Sequence, residues 1–268
     1  MTRAPAIATQ PARTPPPRAG VGTAFDPILD ERPPYLVAGL LSLVVLVIYG
    51  VTLAPTTQFW DTSEYLAAAK VLGIPHPPGN PLFVLLAHVW GELPLAASYA
   101  KRINLFAAVT SALSAGLWFL IAERWLRHAI TERWPRRAAA IAGAVVGATA
   151  FTVWNQSVVN EKVYTLSLFS IALILWLAVR WADQPAGLKR DQRLITILYL
   201  LAFTATNHLM GLLVGPAVIL LAFATLRQDP RTHAGAPFGE WAKFGVFCAA
   251  WALLIFIGLE NPKYLIMG

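Results

Sequence analysis

Long apolar runs separated by short polar stretches set the rhythm of this chain. Runs at 35–54, 103–122, 138–156, 163–180, 194–207, 209–226 and 243–259 come close to the roughly 20 residues that a helix needs to cross a hydrocarbon core. They predict membrane-spanning helices. The stretch from 194 to 226 is too long for one ordinary span and is punctuated by Thr204, Thr206, Asn207 and His208, which predicts a tight hairpin; the other reading is one long tilted helix with a polar kink. The piece from 81 to 97 is apolar but short, holds His88 and Glu92, and is bounded by Gly and Pro. By length it could cross or lie along the interface.

Charge placement decides between those two. Most of the 21 basic residues fall before residue 35 and within 123–137, 180–193 and 227–243. If 81–97 does not cross, all four clusters share one side, as the rule that places Lys and Arg in cytoplasmic loops requires. If it crosses, that bias largely reverses after the first loop. The expectation is therefore an all-α, polytopic membrane bundle of about seven transmembrane helices, with juxtamembrane helices in a first outer loop at 55–102. The amino terminus is cytoplasmic and the carboxyl terminus outside. A Pro- and Arg-rich tail, 1–34, precedes one membrane domain at 35–268, and is too polar for a secretory signal peptide.

Composition agrees. The chain of 268 residues is 57% hydrophobic and only 13% charged, against about 25% charged in ordinary soluble domains. A net charge of +7 would invite a nucleic-acid reading, but the basic residues sit in short loops between apolar runs, so no nucleic-acid partner is expected. Cys248 is the single cysteine and has no intrachain partner. No repeat of fixed period is visible, so an inverted-repeat transporter has no support.

Under this topology the ionisable and amide groups of catalytic type gather at the outer turns, whereas the inner loops look like a solvated cytoplasmic face. Asp61, Glu64 and His76 lie in the first turn; Asn155, Gln156, Asn160 and Glu161 lie at the second; Asn207 and His208 lie at the third. Such groups near hydrocarbon tend to face a cavity or a partner, which predicts an outward-opening site. Each also has a plainer reading. Asp61-Thr62-Ser63-Glu64 fits a helix start in which Asp61 caps free N–H groups and Glu64 reaches back, with Gly73 and Pro75 ending that helix. His76 sits in IPHPPGNP, a rigid strut that is neither regular helix nor central strand. Glu161 and Tyr164 share a helix face, yet Trp154 and Tyr164 also suit an interfacial belt. Asn207 and His208 also suit a polar hairpin turn. No close-spaced ligand motif supports metal binding.

The stretch FWDTSEYLAAAKVLGIPHPPGNPL resembles the first outer loop of the protein O-mannosyltransferase-like membrane family, with Trp60, Asp61, Glu64, His76, Pro77, Pro78, Gly79, Pro81 and Leu82 matching its W-D-S-G-E-F and H-P-P-G-x-P-L patterns. KRINLFAAVTSALSAGLWFLIAERW, WNQSVVNEKVYTL and the Asn-His pair at 207 and 208 follow in the family's order, so the resemblance covers residues 35–226. Ser63 stands where that family usually has Gly. The resemblance implies a GT-C glycosyltransferase core that takes a sugar from a polyprenyl-phosphate carrier, a donor substrate rather than a cofactor, and passes it with inversion to an outer-face acceptor. It implies Asp61 as base and Glu64 as the group that orients acceptor or donor. His76, Lys101 and Arg102 are candidates for the lipid phosphate, and Glu161, Tyr164, Asn207 and His208 for substrate binding. Partners would be membrane lipid and lipid-linked sugar. The alternative is a non-catalytic membrane subunit built on such a core, with a protein partner in a larger complex.

Overall fold

The computed structural model describes residues 31–58, 61–76, 79–160, 163–229 and 233–266, with side chains up to residue 258. Residues 1–30 of the expected tail, and Trp60, Pro77, Pro78 and Glu161, lie outside the described residues. The described secondary structure is helical throughout. In chain order the helices are α1 (Tyr35–Val51), α2 (Thr62–Val71), α3 (Pro81–Gly91), α4 (Tyr99–Leu126), α5 (Arg133–Thr149), α6 (Phe151–Val158), α7 (Tyr164–Ala182) and α8 (Leu188–Ala205). A 3₁₀ turn (Leu209–Val214), α9 (Gly215–Arg227) and α10 (Phe238–Ile266) complete the set.

Among the described residues, four segments are long and apolar enough to cross a membrane: α4, α7, Leu209–Arg227 and Phe238–Gly258. A fifth results if α5 and α6 are one bent span. The protein is an integral membrane protein. The expected count of seven is not reached by this measure. α1 has 17 residues, and α8 begins with Lys189, Arg190, Asp191 and Arg193 in its first turns. α3, at 11 residues, is too short to cross, in line with its reading as a juxtamembrane helix.

α4 is the central element. Its small residues let α1 approach so closely that a β-carbon at Gly116 would stand 2.8 Å from the Ala38 carbonyl oxygen; close backbone approach is what small residues permit between membrane helices. One core joins α1, α4 and α5 through Val45, Tyr49, Ala112, Phe119 and Ala144. A second joins α2, α3 and the starts of α4 and α7 through Tyr65, Phe83, Ile103 and Val163. The third joins α7 to α8, α9 and α10 through Ile174, Leu201, Leu212 and Phe247.

Two helix breaks depart from the apolar pattern or sharpen it. The run 138–156 is not straight: Ala150 adopts ψ 136°, and α6 turns 64° from α5. The Tyr49 hydroxyl donates to the Ala148 carbonyl at 2.7 Å, satisfying an acceptor that the break leaves free, and Ser157 donates to Ser111 at 2.7 Å, docking α6 on α4. At the other break, α8 stops at Ala205 and the 3₁₀ turn follows, so the chain from 194 to 226 is split where its polar residues stand.

The end of the bundle that holds the Arg-rich connections differs from the solvated face expected of it. Arg124, Arg127, Arg136 and Arg190 are buried. Glu123, itself buried, accepts from Arg127 at 2.9 Å and from Arg136 at 2.9 Å; Asp183 accepts from Arg124 at 2.6 Å and from Arg180 at 2.9 Å. Helix ends bring these acids and guanidiniums together, and pairing is what allows charges to leave water.

Candidate functional site

At the opposite end, α2 and the turn behind it carry the first cluster. Asp61 occupies the cap position of α2 but makes no side-chain cap hydrogen bond, and Glu64 does not reach back to it as a capping box would. Instead Glu64 turns toward the Pro-rich segment. The His76 backbone N–H donates to Glu64 Oε1 at 2.6 Å, and His76 Nδ1 lies 2.7 Å from Glu64 Oε2. Both carboxylate oxygens are thereby held. The cause is the path of the chain between them: Leu72, at φ 53°, takes the left-handed conformation that ends α2, and a turn from the Gly79 N–H to the His76 carbonyl, 3.0 Å, closes the segment. Gly79 has φ 73°, a conformation glycine adopts without strain.

Asp61, Glu64 and His76 each offer one nitrogen or oxygen ligand atom, and these three atoms lie within 4.8 Å of one another. The hydrogen bonds from the His76 ring, and then from its backbone N–H, hold the Glu64 carboxyl below the usual carboxylate range; partial burial and the nearby Asp61 charge oppose them. Glu64 stays ionised there.

From this cluster a chain of buried contacts leads to the other turns. The Tyr65 ring meets His76 edge-on at 5.7 Å, and the Tyr65 hydroxyl donates to Asn80 Oδ1 at 2.8 Å. The Asn80 amide in turn donates to the main-chain oxygen of Asn207. Asn207 Nδ2 donates to Ser167 Oγ at 2.9 Å and to the Val163 carbonyl at 3.2 Å. Next to it, His208 meets the Tyr164 ring at 6.0 Å and accepts the Met210 N–H on Nδ1 at 3.0 Å. The first turn, the start of α7 and the break after α8 are therefore one structure. Asn104, at the head of α4, adds the link to the second turn. Its amide donates to the Ala54 carbonyl at 2.9 Å, and its Oδ1 accepts the Asn160 N–H at 2.9 Å.

Of the expected phosphate ligands, His76 lies in the cluster, and Arg102 and Lys101 sit elsewhere in this end. Arg102 donates through Nε to the Ala96 carbonyl and through Nη1 to the Gly91 carbonyl, each at 2.9 Å, so two of its five N–H groups tie the connection between α3 and α4. Lys101 is exposed on the first turn of α4. Tyr65, Asn80 and Asn104 had no assigned role in the apolar pattern. A signal did exist for Asn80: an amide directly before Pro81, at the cap of an apolar helix, in a segment otherwise made of Pro and Gly.

The family described as the protein O-mannosyl-transferase TMEM260 N-terminal domain matches residues 61–232, a stretch that opens on Asp61 and contains Glu64, His76, Asn80 and Asn207. The chain belongs to that family. Within 152 residues it is 30% identical to mouse protein O-mannosyl-transferase TMEM260, covering 55% of this chain and 20% of the mouse protein. It is 24% identical over 204 residues to the Dictyostelium discoideum protein of that name, covering 71% of this chain and 24% of that protein. The chain thus spans about a fifth to a quarter of the length of these TMEM260 relatives. No solved structure matches it.

Proposed function

We propose that this TMEM260-family chain carries the catalytic core of a lipid-linked sugar transferase. In this reading a sugar, mannose by analogy with the names of the relatives, leaves a polyprenyl-phosphate carrier for a hydroxyl acceptor on the non-cytoplasmic side of the membrane. The acceptor oxygen attacks the anomeric carbon, its proton passes to Asp61, and the bond from that carbon to the carrier phosphate oxygen breaks, releasing polyprenyl phosphate with inversion. Glu64, pinned by His76, fixes the position of α2 and so of Asp61. His208 and Tyr164 border the same end and suit contacts to sugar or acceptor; Arg102 and Lys101 supply positive charge near the phosphate.

The observation that carries this reading is the single network joining Asp61, Glu64 and His76 to the Asn207-His208 turn through Tyr65 and Asn80. A carboxylate base is useful only where acceptor and donor groups can converge on it. The test is sugar transfer from polyprenyl-phosphate mannose by the full chain in membranes. Asp61→Asn is expected to lower the rate by about 10²–10⁴-fold, the usual worth of a general base, while membrane insertion is unchanged. Equal rates for the wild type and the Asn variant would remove Asp61 from the chemistry.

A further inference from the structure

The cluster that begins α2 has a second chemical capacity that a lone base does not need. We infer that Asp61, Glu64 and His76 form a binding site for a divalent transition cation. The donor set is two carboxylates and one imidazole, which together suit Mn²⁺ or Zn²⁺. Three protein ligands leave coordination positions open, the arrangement of metal sites that engage a substrate.

Distances favour the assignment. Ligand atoms around one such ion stand about 3.0 to 3.4 Å apart, given metal–ligand bonds of about 2.1 Å. His76 Nδ1 and Glu64 Oε2 are 2.7 Å apart, and all three donor atoms fall within 4.8 Å. Seating an ion therefore opens the His76–Glu64 contact by a few tenths of an ångström and draws an Asp61 oxygen inward, changes within the reach of side-chain rotation. Two of the ligands are already tied together, since the His76 backbone N–H donates to Glu64 Oε1 while Asp61 and Glu64 stand at the start of one helix, so little ordering is required when the ion binds. Thr62, directly after Asp61, is wholly buried and its hydroxyl has no hydrogen-bond partner among the described residues, which leaves donor capacity unused beside a ligand.

Glu64 and His76 are partly exposed, so a bound ion would face a ligand arriving from solvent or from the membrane interface. Its open positions fit phosphate oxygens, and a monodentate Asp61 keeps one carboxylate oxygen for a proton. That role rests on the transferase reading above. Ion binding itself does not.

The experiment measures Mn²⁺ binding to the purified full chain by electron paramagnetic resonance, with no donor lipid present. One saturable ion per chain is expected, weakened at least about tenfold in each of Asp61→Asn, Glu64→Gln and His76→Gln. Glu92→Gln, which removes a neighbouring carboxylate paired with Lys70, should bind as the wild type does. In the wild type alone, Mn²⁺ or Zn²⁺ should raise the thermal midpoint, a readout independent of whether any variant folds. No saturable ion in the wild type, or unchanged binding in all three variants, overturns the site. Sugar transfer without ion binding would leave the transferase reading standing and sink this one; ion binding without transfer would do the reverse.

Discussion

Asn80 is the residue on which the candidate site turns. It takes the Tyr65 hydroxyl on its carbonyl and gives its amide to the Asn207 main chain, while being 4% exposed. Truncating it takes one hydrogen bond from each of two buried groups. Each such loss costs about 1–3 kcal/mol, so Asn80→Ala should lower stability more than Tyr65→Phe, which takes one hydrogen bond from Asn80 Oδ1 alone. Thermal unfolding of both variants in detergent checks the order; equal midpoints would mean that the network is not cooperative. Asp61, Glu64 and His76 were legible as candidates because charged groups are conspicuous in so apolar a chain. The Glu64–His76 contact was not, because it spans 12 positions and depends on Leu72 taking a left-handed backbone. The reading of Glu64 as a capping-box partner failed for the same reason: a histidine brought close by the turn outcompetes a weak local cap.

Elements were readable from hydropathy to within a few residues where packing and pattern agree, as in α1, α4 and α7. They were unreadable where tertiary contacts decide. No Pro stands near Ala150, and Gly147 lies one turn earlier inside α5; the bend is held by Tyr49 and Ser157 on its two sides. α2 and α3 are clamped to each other by Lys70 and Glu92, 2.6 Å apart. The hydrogen bond from Lys70, chiefly, holds the Glu92 carboxyl below its ordinary range. A carboxyl whose pKa is depressed on folding stabilises the fold above its unfolded value of about 4.3, and that contribution disappears as pH falls through the lower folded value. Glu92→Gln should thus lower the thermal midpoint slightly at neutral pH, and the difference should shrink once the pH drops under the unfolded value of about 4.3 and vanish when it is under the lowered folded value too. The effect is small because both side chains are half exposed. A difference that grew on acidification would contradict the clamp.

At the scale of the molecule, the buried ties at one end of the bundle are charge pairs, and at the other the buried ties are neutral polar groups, with the ion pair of Lys70 and Glu92 half exposed. The basic residues were legible as a cluster on one side, but not their burial: Glu123–Arg127 and Arg180–Asp183 are local pairs, whereas the acids that pair with Arg124 and Arg190, Asp183 and Asp229, come from distant segments. Glu123→Ala removes the acceptor shared by Arg127 and Arg136 and should cost about 3–5 kcal/mol, as breaking a buried ion pair does. Asp191→Ala, which breaks a partly exposed contact to Lys243, should cost about 1 kcal/mol or less. Chemical or thermal unfolding of the two variants checks this; comparable losses would mean that the Arg-rich end is hydrated. The Tyr65–Asn80–Asn207 ties, by contrast, contain no net charge. Counterions have nothing to screen in them, so molar salt that loosens ionic latches would leave the spacing between the α2 turn and the α8 break as it stands.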